Sequence, residues 1–302
     1  MLARAVRSYL SIRRASGFVL EQVGFHLRSF AAYSDARGQR YVNTQTTIDW
    51  ARQVPSVHQR ARRLADVARF ARYLCAEDER HEIPPAVFGS ERRRRRPPYI
   101  LSEEQIGRLI ELAAQSGYRT LRRQTYSTLF ALLSCTGLRV SEAIRLRYND
   151  ITPDGLVIRA TKFQKTRLVP LHDTARAGLE RYLQQRRPYA PLDDHVFISL
   201  RRKPLLITDV ETAFRTVAAK MGLPTGRARR RPTPHSLRHA FAVRALQTCP
   251  DGRDRVTKHM LMLSTYLGHS NAALTYWYLE AVPELMRSIA ECCEAHVAGG
   301  AR

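Results

Sequence analysis

Two C-terminal segments, 235-HSLRHAFA-242 and 267-LGHSNAALTYWYL-279, bring His235 and His269, an arginine and a candidate tyrosine into one short stretch of chain. That mix suits attack on a phosphodiester by a phenol, with the broken bond's energy kept in a covalent ester. The non-bridging oxygens of such a phosphate need fixed cations and hydrogen-bond donors, because no solvent reorganises in time to stabilise the developing charge. Arginine serves better than lysine here, since its planar fork meets two oxygens at once. The leaving oxygen needs a proton donor. His235 and Arg238 are three residues apart, so on a helix they share a face. His269 follows Leu267-Gly268, and Tyr278 comes nine residues later within the trio Tyr276-Trp277-Tyr278. Each residue alone reads as an ordinary surface, core or capping residue; their combination and order carry the signal.

Candidates for the remaining roles lie upstream. Arg139, in 136-TGLRVSEAIRLR-147, follows a Gly break and opens a predicted helix, where amides and helix dipole would also favour a phosphate. Residues 155-GLVIRATKFQKTRLVPL-171 alternate with period two and read as a β-hairpin whose turn is built from 162-KFQK-165, placing Lys162 at a tip able to reach into a groove.

The elements that must position these groups are mostly helical. Apolar residues at three- and four-residue spacing predict helices over 6–14, 20–36 and 57–75, with Val23, Leu27, Phe30 and Ala31 forming one stripe. The run 91-ERRRRRPPY-99 cannot pack: its charges repel and its prolines exclude regular hydrogen bonding. It is expected to be a solvated linker that lies along a phosphate backbone through Arg92, Arg93, Arg94, Arg95 and Arg96. Beyond it, Ser102 and Gln105 form a capping-box pattern. Further helices are predicted at 126–135, from 138 onward, at 174–187 and at 208–221. A second basic stretch, 227-RARRRPTPH-235, offers Arg229, Arg230 and Arg231 as DNA contacts. The fold expected is mainly α with one small antiparallel β-sheet.

Composition agrees with a polyanionic partner. The 302 residues carry 50 Lys and Arg against 27 Asp and Glu, a formal charge of +23 with pI near 10.7, and nucleic acid is the leading candidate. No apolar run of about 18 residues exists to span a bilayer. Cys75, Cys135, Cys249, Cys292 and Cys293 are scattered, with neither zinc-ligand spacing nor a disulfide framework, which fits a reducing cytosol. No GxxxxGK[ST] loop is present.

With these motifs assembled, the chain resembles the tyrosine recombinases of the phage integrase family, in particular members borne on mobile elements. TGLRVSEAIRLRYNDI resembles the family's first arginine box, which assigns Arg139 as catalytic and Glu142 as a supporting acid. RATKFQKTRLVPL resembles its β-hairpin, making Lys162 the general acid, with Lys165 as the alternative. HSLRHAFA resembles the HxLRH box, giving His235 and Arg238, with His239 structural. LGHSN gives His269, and the family spacing beyond it selects Tyr278 over Tyr276 as nucleophile.

The resemblance implies a helical core-binding domain at 1–91, a basic linker at 92–99 and a catalytic domain at 100–302. Together they would form a clamp round double-stranded DNA. It implies recombination or integration through a 3′-phosphotyrosyl bond, without metal or nucleotide cofactor. The partners implied are DNA and further copies of the chain, as a dimer or tetramer, alone or with other recombinases. The place implied is the bacterial cytoplasm at the nucleoid, not a membrane. A type IB topoisomerase or telomere-resolving enzyme, and a catalytically silent DNA-binding factor, are the alternatives. Two departures stand out. The stretch 247-QTCPDGRDRVTKHMLMLSTY-266 is longer than usual and is expected to hold an inserted loop. The tyrosine segment lacks the common threonine pair and following histidine. The tail 283–302 has helical apolar spacing suited to docking on another protomer or on its own domain.

Overall fold

The computed structural model describes residues 1–89, 98–116, 120–159, 166–189, 194–225, 231–248 and 253–268. The chain divides into two compact units, Met1–Arg95 and Arg96–Arg302.

The first unit is helical: α1 (Leu2–Ala15), α2 (Glu21–Asp35), α3 (Thr44–Arg52) and α4 (Val57–Cys75). The stripe on α2 points inward as its spacing requires, with Leu27, Phe30 and Ala31 buried and Val23 packed against the core. Trp50 of α3 and Phe70 of α4 are wholly buried in the same core. Side-chain caps fix two of the helix starts: Asn43 accepts from the Thr46 amide ahead of α3, and Ser56 from the Gln59 amide ahead of α4. Sequence spacing does not reveal α3. It is a nine-residue, threonine-rich segment with too few apolar residues to show a stripe.

The second unit begins at α5 (Glu103–Gln115), whose capping box closes through Ser102 and Gln105. Next comes α6 (Thr120–Thr136), the hub, packed against α5, against α8 (Asp173–Arg186) and against α10 (His235–Gln247). A hub must be apolar on several sides, and Leu121, Leu129, Phe130, Leu132 and Leu133 are all buried. Phe130 meets Phe214 of α9 (Ile207–Lys220) edge-on at 5.5 Å.

The helix predicted from 138 is the four-residue α7 (Val140–Ala143). Tertiary pairing ends it. Leu146 accepts from the Val196 amide at 2.8 Å, Tyr148 donates to Asp194 at 3.1 Å, and Arg147 forms a bridge with His195, which draws the chain out straight.

The sheet has three antiparallel strands in sequence order, β1 (Ile151–Thr152), β2 (Gly155–Ile158) and β3 (Arg167–Val169). Leu156 faces Val169 and Ile158 faces Arg167. Leu156, Ile158 and Val169 point into the core, whereas Leu168 is 49% exposed, as period two demands. Gly155 cannot carry a side chain: its φ is +140°, and a Cβ would stand 2.3 Å from the Val169 carbonyl oxygen.

The stretch expected to be an inserted loop is, over its larger part, helix α11 (Arg253–Leu267). Met260, Leu263 and Leu267 recur at helical spacing and bury against Ala242, Val243 and Leu246 of α10, so the segment belongs to the fold. Among the described residues, no helix is long and apolar enough to cross a membrane.

Candidate active site

Arg139 lies at the N-terminal end of α7, directly after the turn made by Gly137 at φ +62°. Its Nη1 donates to Glu142 Oε1 at 2.6 Å and its backbone amide to Glu142 Oε2 at 3.0 Å. The second nitrogen, Nη2, donates to the Gly268 carbonyl at 2.9 Å, 129 residues away in sequence. The phosphate site expected from amides and dipole at this helix start does not form as such. With four residues α7 is too short to develop a dipole, and Glu142's own carboxylate occupies the Arg139 amide.

Arg238 lies in the first turns of α10, one position past Leu237, and is 1% exposed. Its Nη1 donates to the Gly137 carbonyl and its Nη2 to the Leu267 carbonyl, both at 2.6 Å. The two arginines of the sequence boxes therefore converge on consecutive carbonyls, those of Leu267 and Gly268, at the end of α11. Gly268, at φ +65°, turns the chain there.

Glu142 is buried at the centre of this arrangement, its side chain 7% exposed. Besides Arg139 it accepts from Arg167 on β3, Nη1 to Oε1 at 3.1 Å and Nη2 to Oε2 at 2.7 Å. Burial alone would raise its pKa, but the hydrogen bonds and charges of Arg167 and Arg139 outweigh this and hold the carboxyl at about 2. Glu142 is thus ionised at any physiological pH. Arg167 was not among the residues singled out by sequence. Its signal was nonetheless present: it shares a strand face with the core residue Val169, and an inward arginine requires a carboxylate.

His235 opens α10 and shares its early turns with Arg238, as three-residue spacing anticipates. Its ring meets that of His239 edge-on, centroids 4.5 Å apart. Its side chain is exposed, yet lost hydration first, then the positive charges of Arg238 and Arg139, lower its pKa against a smaller opposing pull from Glu142, which favours the neutral imidazole. Arg231 is exposed ahead of the same helix. Lys162, Lys165, His269, Tyr276, Tyr278, Arg92, Arg93, Arg94, Arg95, Arg96, Arg229 and Arg230 lie outside the described residues, as do the turn joining β2 to β3 and the tail 283–302. Among the described residues, no group of three or more His, Cys, Asp or Glu side chains is placed to hold a metal.

A mainly helical unit with a three-stranded sheet, whose two box arginines are gathered at one chain segment, narrows the class sharply. The chain belongs to the phage integrase family of tyrosine recombinases, enzymes that cut and rejoin DNA: that family's model matches residues 100–284. It is 37% identical over 296 residues to y4rB of Sinorhizobium fredii, which bears an integrase/recombinase name, covering 94% of each chain. It is 34% identical over 231 residues to the tyrosine recombinase XerD of Proteus mirabilis, covering 75% of this chain and 69% of XerD. In fold it is similar to the XerH site-specific recombinase bound to difH substrate, with TM-score 0.65 at 17% identity over 85% of this chain and 75% of that one. It is also similar to the Tn1549 transposon integrase in complex with transposon right end DNA, with TM-score 0.64 at 17% identity over 95% and 98%.

Proposed function

We propose that this chain is a site-specific DNA recombinase that cuts and rejoins strands through a phosphotyrosine at Tyr278. In this reading the Tyr278 oxygen attacks the scissile phosphorus, the bond to the 5′ oxygen breaks, and the 3′ end remains esterified to the enzyme. Arg139 and Arg238, with His269, hold the non-bridging oxygens. Lys162, or Lys165 in its place, gives a proton to the leaving 5′ oxygen. His235, neutral at working pH, is free to accept the phenol's proton or to orient the phosphate. The 5′ hydroxyl of a second duplex then attacks the phosphotyrosine in the reverse sense, and the tyrosine leaves.

The observation that carries this reading is the convergence of Arg139 and Arg238 on the carbonyls of Gly268 and Leu267. These two residues immediately precede His269 in the chain, so the contacts of Arg139 and Arg238 support assigning both arginines and His269 to one phosphate. The charge of +23 supplies the general affinity for DNA, to which the arginines of 92–96 and 229–231 contribute. Residues 1–91 serve as the core-binding domain, 92–99 as the linker and 100–302 as the catalytic domain. Exchange between two duplexes needs four cleavages, so the working form is a tetramer of this chain, or of this chain with another recombinase.

A plasmid carrying two directly repeated copies of a DNA site captured by the protein tests the function. Excision of the intervening DNA as a separate circle is the expected product. Relaxed topoisomers without excision would replace this reading with a type IB topoisomerase. Binding without any strand change would replace it with a silent DNA-binding factor.

A further inference from the structure

Arg167 holds none of the roles assigned above, yet it touches both partners of Arg139. It opens β3, two residues beyond Lys165, and its side chain is only 14% exposed. Each oxygen of the Glu142 carboxylate is shared: Oε1 accepts from Arg139 Nη1 and Arg167 Nη1, while Oε2 accepts from the Arg139 amide and Arg167 Nη2. On its other side Arg167 lies against Gly268, where an added Cβ would stand 2.9 Å from Arg167 Nη1 and 3.6 Å from Arg139 Nη1.

The charge balance gives this contact a consequence. Glu142 and Arg139 alone form a neutral pair, and burial strengthens their attraction to each other at the expense of a phosphate. A carboxylate shared between two guanidiniums leaves the cluster positive. It also anchors the carboxylate at two points, so that its oxygens stay where they fix the Arg139 fork. We infer that Arg167 is a positioning residue for strand cleavage: by sharing the Glu142 carboxylate, it keeps Arg139 in place and keeps Arg139's charge available to the scissile phosphate. The inference rests on the reaction proposed above.

The test is single-turnover cleavage of a nicked duplex carrying a captured site, measured beside the Kd for the same duplex, on the full chain. Arg167→Ala is expected to slow cleavage about 10- to 100-fold, less than loss of a direct phosphate contact, with Kd changed by less than about threefold. Arg167→Gln, which keeps a hydrogen bond to Glu142 without the charge, is expected to lose the same rate and stands in if the alanine variant does not fold. Adding Glu142→Gln to either variant removes the unshared carboxylate and is expected to restore cleavage at least about fivefold, a recovery that lost packing would not produce. Single variants within about threefold of wild type, or double variants no faster than the singles, overturn the inference. A wild-type chain that forms no adduct overturns the phosphotyrosine reading instead.

Discussion

Arg238 Nη1 donates to the carbonyl oxygen of Gly137 at 2.6 Å, joining the start of α10 to the turn after α6 across 101 residues. Its Nη2 secures Leu267 in the same way, so one buried side chain ties three chain segments together. Arg238→Ala leaves both carbonyls short of a donor, at about 1–3 kcal/mol each. We expect a loss of roughly 2–6 kcal/mol in denaturant unfolding of the variant, together with loss of DNA cleavage.

Arg139 differs in what it leaves behind. Without it Glu142 keeps both hydrogen bonds from Arg167, and the carboxylate is not stranded. Arg139→Ala strands only the Gly268 carbonyl, and is therefore expected to cost about 1–3 kcal/mol in the same unfolding measurement, less than Arg238→Ala, while single-turnover cleavage falls about 10²–10³-fold. Equal stability losses in the two variants would contradict this division of labour.

Gly137 is fixed by two constraints. Its φ is +62°, and an added Cβ would stand 2.5 Å from Cδ1 of Phe241, a ring that stacks on Tyr266 at 5.5 Å and cannot swing aside at no cost. Gly137→Ala should destabilise by about 2–4 kcal/mol and displace the carbonyl that holds Arg238. Gly107, exposed on α5 with nothing within 4 Å of an added Cβ, is the control. Gly107→Ala is expected to stabilise by about 0.5–1 kcal/mol in thermal denaturation.

His235 gives a pH signature. Its pKa is lowered, so the neutral ring persists below the ordinary 6.5 and is lost as pH falls further. Cleavage at subsaturating DNA reports the free enzyme, and its rate should hold through pH 6.5 and then fall along an acid limb with midpoint below that value. His235→Gln should lower the plateau and remove the limb. A limb unchanged in the variant would assign the titration to another group.

Much of this was legible in the sequence, and the reasons differ by element. Helix α4 spans Val57–Cys75, the range its apolar spacing indicates, because a long stripe and a Ser56 cap agree. His235 and Arg238 share the early turns of α10, as three-residue spacing anticipates, whereas Glu142 beside Arg139 was legible only through the resemblance of 136–151 to the family's first arginine box. The helix expected from 138 failed beyond Ala143 because pairing with residues 194–196, remote in sequence, overrides a local helical pattern. The stretch 247–266 reads as an insertion when measured by length alone, whereas Met260, Leu263 and Leu267 already encode a packed face. Arg167 escaped for a related reason. Its partner lies 25 residues earlier, and no spacing rule links a strand arginine to a helix glutamate.

Trapping the bond between Tyr278 and the cut strand is the decisive experiment. The full chain is incubated with sheared, nicked genomic DNA from its source organism and denatured in detergent. The covalent complexes are then digested with nuclease and protease, and the nucleotide-bearing peptide is mapped by mass spectrometry. The expected result is a phosphodiester on Tyr278 through a DNA 3′ end, absent from Tyr278→Phe. An adduct that persists in Tyr278→Phe, or one that maps to Tyr276, would overturn Tyr278 as the nucleophile.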